Sequence, residues 1–123
     1  MDTMKTLQRM HFEHTLWQNL LEFAQNELPI LEQFLENSDR SFLEKDKVEI
    51  LSKLHHFERL ADKLMKSLMA HKGDLATEIQ TDQIKDATLR NDHSYLRDEM
   101  FLFEQNYAAF KREFKDFISE AVS

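Results

Sequence analysis

Residues 7–35, LQRMHFEHTLWQNLLEFAQNELPILEQFL, carry core-type residues at steps that alternate strictly between three and four. Such steps place side chains on one face of an α-helix, and their alternation is the heptad pattern of coiled coils. The pattern therefore predicts one long helix with a hydrophobic face, which we call the first seam. Its phase continues across Pro29, so we expect a local kink there and not a helix end. The first seam is Leu7, Met10, His14, Trp17, Leu21, Ala24, Leu28, Leu31 and Leu35.

Two later segments of the chain repeat this three-four pattern. The second seam is Leu43, Ile50, Leu54, Phe57, Ala61, Leu64, Leu68, His71 and Leu75. The third seam is Leu89, His93, Leu96, Met100, Phe103, Tyr107, Phe110, Phe114, Phe117 and Ala121. We therefore predict helices over about residues 3–37, 42–79 and 82–120, each about 55 Å long at 1.5 Å per residue. Short connections between long helices make neighbours antiparallel, so the predicted fold is an all-α, up-down-up, antiparallel three-helix bundle of one domain, residues 1–123.

Capping residues define the expected helix boundaries. Ser41, with Glu44 three residues later, fits a capping box at the start of the second helix. Thr81, followed by the acidic Asp82, fits the N-cap of the third helix. Gly73 lies near the end of the second pattern, but the hydrophobic phase continues beyond it, so we expect that helix to reach about residue 79.

Composition limits the classes of function. The chain has one Gly and one Pro in 123 residues. It therefore lacks the residues that the tight turns of sheet proteins and a phosphate-binding loop require. The absence of Cys excludes thiolate metal sites and thiol chemistry. A net charge of −7, with both signs mixed along every segment, argues against nucleic acid as a partner. No uncharged run is long enough to span a membrane, and no signal peptide is recognisable, so we expect a cytoplasmic protein without a membrane partner.

Three histidines, His14, His71 and His93, occupy positions in the three seams where hydrophobic residues are expected. Reflecting residue numbers about the two predicted turns places all three toward one end of the bundle, with His11 close to them. On this arithmetic His14 lies about 6 Å from the level of His93. Imidazoles that converge from several helices are one way in which helical bundles bind metal, and under that interpretation the cofactor is a divalent transition metal.

Two interpretations of these histidines stay open. Each buried imidazole either binds metal or forms a hydrogen bond with a carboxylate, a tyrosine or another histidine and thereby fixes the helix register. The paired Glu-x-x-His motifs of ferritin-like di-iron proteins are missing, and so are the paired motifs of hemerythrins, although His93 and Asp98 reproduce one hemerythrin spacing. The serines show neither a nucleophile elbow nor a base at a fixed spacing, so we predict no catalytic residues.

Hydrophobic residues beside the first seam widen its apolar face beyond the needs of a three-helix bundle. Leu16, Phe23 and Ile30 recur at intervals of seven residues and have no obvious partner within the bundle. A contiguous stripe of this kind is typical of a protein interaction surface. We therefore expect self-association into a larger bundle, or binding of a protein partner, through Leu16, Phe23 and Ile30.

Two stretches, HFEHTLWQNLLEFAQNELPILEQFL at residues 11–35 and DHSYLRDEMFLFEQNYAAFKREFKDF at residues 92–117, carry a resemblance to other proteins. They resemble short uncharacterised all-helical bacterial proteins of the Bacteroidetes type. The resemblance implies a small helical bundle and no particular activity. The sequence thus favours a non-enzymatic helical-bundle interaction or scaffold protein, and the alternative is a small metal-binding bundle with a histidine cluster.

Overall fold

The computed structural model describes residues 3–37, 44–81 and 87–122. Within these residues the chain forms three α-helices and no strand. Helix α1 is Thr3–Asn37, α2 is Glu44–Thr81 and α3 is Ala87–Val122. The predicted all-α three-helix bundle is confirmed.

Helices α1 and α2 continue through residues that often interrupt helices. Helix α1 passes through Pro29, and α2 passes through Gly73 and ends at Thr81. The interpretation of Thr81 as the N-cap of α3 is wrong, because Thr81 belongs to α2 and α3 is described only from Ala87. Each residue that extends an existing helix adds a hydrogen bond, so a residue that suits a cap does not by itself end a helix. The capping box at Ser41 lies outside the described residues.

Polar pairs between helices show how the three helices are aligned. Gln25 of α1 donates a hydrogen bond to Asp62 of α2 at 2.9 Å, and Gln18 accepts one from Lys72 at 3.2 Å. Residues later in α1 therefore face residues earlier in α2, as antiparallel packing requires. Lys53 of α2 pairs with Glu113 of α3 at 2.6 Å, near the opposite end of the bundle. Helices α1 and α3 are consequently parallel to each other, on either side of α2.

The buried hydrophobic residues form two separate clusters along the bundle. The smaller cluster is Leu7, Met10, Leu75 and Leu89. The larger one occupies the rest of the bundle and includes Leu21, Leu28, Leu54, Leu68, Leu96, Phe103 and Phe110. His14, His71 and His93 are the buried polar residues of the described chain, and in each helix their position falls between residues of the two clusters. The histidines thus form one polar layer inside an otherwise hydrophobic core.

Candidate metal centre

The three seam histidines are buried and lie against one another. Their exposed fractions are 0% for His14, 6% for His71 and 2% for His93. The ring centroids are 4.8 Å apart for His14 and His71, 5.1 Å for His14 and His93, and 5.2 Å for His71 and His93. One nitrogen from each ring can be chosen so that all three lie within 4.8 Å of one another. The structure therefore brings together the three residues that the sequence singled out.

The histidines meet more closely than the turn arithmetic predicts. That arithmetic places Gln25 level with about residue 54 of α2, whereas Gln25 lies opposite Asp62. The same difference in register places His14 opposite His71. The predicted offset of His14 from His93 along the bundle axis is therefore wrong. The histidines lie toward one end of the bundle, as predicted, but they are not the last layer. The small hydrophobic cluster lies beyond them, toward the start of α1. His11 is exposed and does not join them.

His93 is the centre of a continuous hydrogen-bonded chain. Its Nδ1 lies 3.2 Å from Nε2 of His71, and its Nε2 lies 2.9 Å from a carboxylate oxygen of Glu13. Arg97, one turn after His93, donates from Nε and from a terminal guanidinium nitrogen to the two oxygens of Glu13 at 2.9 and 2.7 Å. These bonds from Arg97, with that from His93, lower the pKa of Glu13 to about 2 against the opposing effect of burial. A fixed, ionised carboxylate thus adjoins the histidine layer.

His14 has a different environment from His93. Neither of its ring nitrogens has a hydrogen-bond partner among the described residues, although both are fully buried. Burial, followed by the neighbouring imidazoles of His71 and His93, lowers the pKa of His14 from 6.5 to about 3. Burial and His93 also lower the pKa of His71, and Asp92 and Asp74 oppose that change. His14 and His71 are therefore neutral at pH 7, which is the form of imidazole that binds metals.

The spacing of the rings agrees with tetrahedral coordination. Zinc binds histidine nitrogen at about 2.0–2.1 Å, so two nitrogens on neighbouring tetrahedral positions lie about 3.3 Å apart. The contact between His93 Nδ1 and His71 Nε2, at 3.2 Å, matches that separation. The rings extend outward from the metal, and their centroids then lie about 5 Å apart. All three observed centroid distances are close to this value.

Trp17 closes one side of the histidine layer. Its indole ring lies 5.8 Å from the ring of His14 and 5.0 Å from that of His93, measured between centroids. Trp17 is the only tryptophan in the chain, so its fluorescence reports on this layer alone. Sequence reasoning did not assign it a role at the site, although it follows His14 by three residues and therefore shares its helix face.

A second group of candidate ligands lies between α1 and α2, away from the histidine layer. It consists of Glu32, His55 and Glu58. His55 already shares a 2.6 Å hydrogen bond with Glu32, and its side chain is about half exposed. Oε1 of Glu58 is buried without a hydrogen-bond partner among the described residues, but neither ring nitrogen of His55 is, whereas both nitrogens of His14 are. The geometry therefore favours the three buried histidines as the candidate metal centre.

Comparisons with family models, curated proteins and solved structures found no match to this chain. The resemblance to Bacteroidetes-type helical proteins therefore stays a prediction. Among the described residues, no helix combines the length and the hydrophobicity needed to cross a membrane. Cytoplasmic localisation also stays a prediction.

Proposed function

We propose that this protein is a small metal-binding helical bundle in which His14, His71 and His93 bind one divalent transition metal. The observation that carries the proposal is the state of His14. Its imidazole is completely buried, and neither ring nitrogen has a hydrogen-bond partner among the described residues. A bound metal would satisfy one of these nitrogens directly, at a position that His71 and His93 already surround.

The alternative, that the histidines only fix the helix register through hydrogen bonds, explains the contacts of His93 but not those of His14. A buried histidine that only fixes helix register is expected to have hydrogen-bonded ring nitrogens, as His93 has with Glu13 and His71. Burying a polar group without a partner costs about 1–3 kcal/mol. A leucine at position 14 would avoid that cost and continue the first seam. An imidazole at this position, with no partner among the described residues, is better explained by a ligand that occupies the layer.

The donor atoms indicate the class of metal. Three imidazole nitrogens suit zinc, copper, nickel and iron, whereas calcium and magnesium prefer oxygen ligands. Three histidines also leave one tetrahedral position for water or for another ligand. His71 lines an open cavity of about 300 Å³ between α2 and α3, together with Asp74 and Asp92. We propose that a further ligand reaches the fourth position through this cavity.

The proposal is tested on chelator-treated protein that carries no His-tag. Zinc, copper(II) and nickel are added one at a time, and binding is followed by calorimetry and by Trp17 fluorescence. We expect one equivalent of metal per chain and quenching of Trp17 by copper or nickel. Zinc at about one hundred times its dissociation constant should raise the free energy of unfolding by about 2.7 kcal/mol.

Single substitutions locate the site. His14→Leu, His71→Leu and His93→Leu should each weaken binding strongly and reduce the stabilisation by metal. His11→Leu is the matched control, because His11 is exposed on the same helix as His14. His55→Leu tests the second group of ligands and should leave binding unchanged. A parent protein whose unfolding midpoint is the same with chelator and with each of the three metals would contradict the proposal.

Self-association is a second candidate function, and the exposed stripe on α1 favours it. The exposed fractions are 50% for Leu16, 56% for Phe23 and 65% for Ile30. A spacing of seven residues places all three on nearly the same face of the helix. Phe34, which is also exposed, extends this face toward the end of α1. The partner that we propose for the stripe is a second copy of this chain, because the same face on two molecules is self-complementary.

The dimer is tested by sedimentation equilibrium. The double variant Phe23→Lys, Ile30→Lys should be monomeric and remain folded, because both side chains are already exposed. Val48→Lys, at an exposed hydrophobic residue of α2, is the matched control and should leave association unchanged. A parent chain that is monomeric at tens of micromolar would exclude the dimer.

A further inference from the structure

The hydrogen bonds around His93 determine where its proton lies. Arg97 donates to both oxygens of Glu13, which identifies Glu13 as an ionised carboxylate that can only accept further bonds. The 2.9 Å contact between Glu13 and His93 therefore requires a proton on Nε2 of His93. In a neutral imidazole the other nitrogen, Nδ1, then has a free lone pair.

This free lone pair in turn determines the proton position in His71. Nδ1 of His93 lies 3.2 Å from Nε2 of His71, and in the neutral tautomer it can only accept in that contact. Nε2 of His71 therefore carries the proton in the metal-free protein. Nδ1 of His71 is left as a bare acceptor, and it is a buried nitrogen without a partner among the described residues. The series of hydrogen bonds from Arg97 through Glu13 and His93 to His71 is thus consistent with one proton on each of the two imidazoles.

From this arrangement we infer that Glu13, held by Arg97, selects Nδ1 of His93 as the metal-ligating atom, and that metal loading moves the proton of His71 from Nε2 to Nδ1. The inference rests on the proposed function and specifies how its site is organised. Glu13 is a positioning residue here, because it touches the ligand His93 and not the metal. Carboxylates that bind the outer nitrogen of a ligating histidine fix its tautomer and orientation in many metal sites.

The proton balance of this change is simple. A metal needs the lone pair of Nε2 of His71, so the proton on that nitrogen must leave. Nδ1 of the same ring can take up one proton, because it has no hydrogen-bond partner among the described residues. One N–H bond breaks and another forms on the same imidazole, and solvent carries the proton between them. This exchange leaves the number of protons on the ring of His71 unchanged.

Coordination through the opposite nitrogen of His93 is disfavoured by the same contacts. Ligation through Nε2 would replace its hydrogen bond to Glu13, and the partly buried carboxylate would lose one of its donors. Nδ1 also lies next to His71, whereas Nε2 is directed at Glu13. The three-histidine geometry therefore agrees with Nδ1 of His93 and Nε2 of His71 as the ligand pair.

The tautomers can be read by long-range ¹H–¹⁵N NMR of histidine-labelled protein, with signals assigned through the three His→Leu variants. In the metal-free protein we expect protons on Nε2 of both His93 and His71. After zinc is added, His93 should keep its Nε2 proton and His71 should carry its proton on Nδ1. A metal-free His93 protonated on Nδ1, or zinc bound to Nε2 of His93, would overturn the inference.

The role of Glu13 is tested by zinc affinity. Glu13→Gln should weaken zinc binding about 10- to 100-fold, because loss of such an outer carboxylate has that effect in other sites. Glu22→Gln is the matched control, since Glu22 is an exposed glutamate on the same helix. Circular dichroism verifies that both variants are folded. Equal zinc affinity for Glu13→Gln and the parent would overturn the role of Glu13 alone, whereas a parent that binds no zinc would overturn the proposed function.

Discussion

The rings of His14 and His71 lie edge to face with their centroids 4.8 Å apart, yet neither nitrogen of His14 makes a hydrogen bond within the described residues. This contact places a polar ring in a hydrophobic core without the bond that normally accompanies it. The metal-free protein should therefore be less stable than its hydrophobic packing allows. The contribution of His14 to metal binding can therefore be separated from its effect on the stability of the metal-free protein.

Replacement of His14 by leucine should stabilise the metal-free protein while it removes the response to metal. Leucine restores the first seam and eliminates two unpartnered nitrogens, so the free energy of unfolding should rise by about 1–3 kcal/mol. Urea unfolding in the presence of chelator measures this change. His11→Leu, on the exposed face of α1, should shift stability by less than about 0.5 kcal/mol. A destabilised His14→Leu protein would show that the imidazole has a structural partner.

Stability should depend on pH through the same residue. Folding lowers the pKa of His14 from 6.5 to about 3, so between these values the unfolded chain binds a proton that the folded protein does not. The stabilisation is complete above about pH 6.5 and is lost as the pH falls toward 3. The slope is about 1.4 kcal/mol per pH unit for each such imidazole, and the lowered pKa of His71 adds in the same direction.

Urea unfolding of chelator-treated protein between pH 7.5 and 5.5 measures this slope. That range lies above the ordinary pKa of glutamate, so the lowered pKa of Glu13 contributes little to the change. His14→Leu should lose less stability over the range than the parent loses. Identical slopes for the two proteins would show that His14 does not titrate differently in the folded and unfolded states.

The fold was predictable from sequence because its signal is local. The spacing of hydrophobic residues in the first seam depends only on the helical repeat, and the whole seam lies within α1, described as Thr3–Asn37. The register between helices is a tertiary property, and reflection about a turn misplaced Gln25 relative to Asp62. The histidines were identifiable because polar residues interrupt a hydrophobic seam. The Glu13 and Arg97 pair depends on how α1 and α3 are rotated toward each other, which no single-helix pattern contains.

Gly73 offers a simple gain in stability. It lies in the interior of α2 on the exposed face, and an added Cβ would meet no atom within 4 Å. Gly73→Ala should therefore raise the free energy of unfolding by about 0.8–1 kcal/mol, because alanine restricts the unfolded backbone and favours the helix. Ala76→Gly, at an exposed position one turn later, should have the opposite effect. A Gly73→Ala protein that is less stable than the parent would contradict the continuous helix described here.

Tyr107 should contribute to stability through its hydroxyl group as well as its ring. The hydroxyl donates a 2.6 Å hydrogen bond to Glu27, and Lys111 pairs with the same carboxylate at 3.1 Å. Burial and the bond to Glu27 raise the pKa of Tyr107 far above its usual value, so the hydroxyl stays protonated throughout the neutral range. The bond joins α1 to α3, whose backbones approach each other less closely than either approaches α2.

Tyr107→Phe keeps the ring packed against Phe57 and Phe103 but removes this bond. Hydrogen bonds to charged groups contribute about 1.5–3 kcal/mol, and Glu27 keeps its contact with Lys111, so we expect a loss near the lower end of that range. Tyr95→Phe is the matched control, because Tyr95 is 68% exposed on the same helix and should change stability by less than about 0.5 kcal/mol. Equal unfolding midpoints for the Tyr107→Phe and Tyr95→Phe proteins would show that the link from α3 to Glu27 adds nothing to the stability of the bundle.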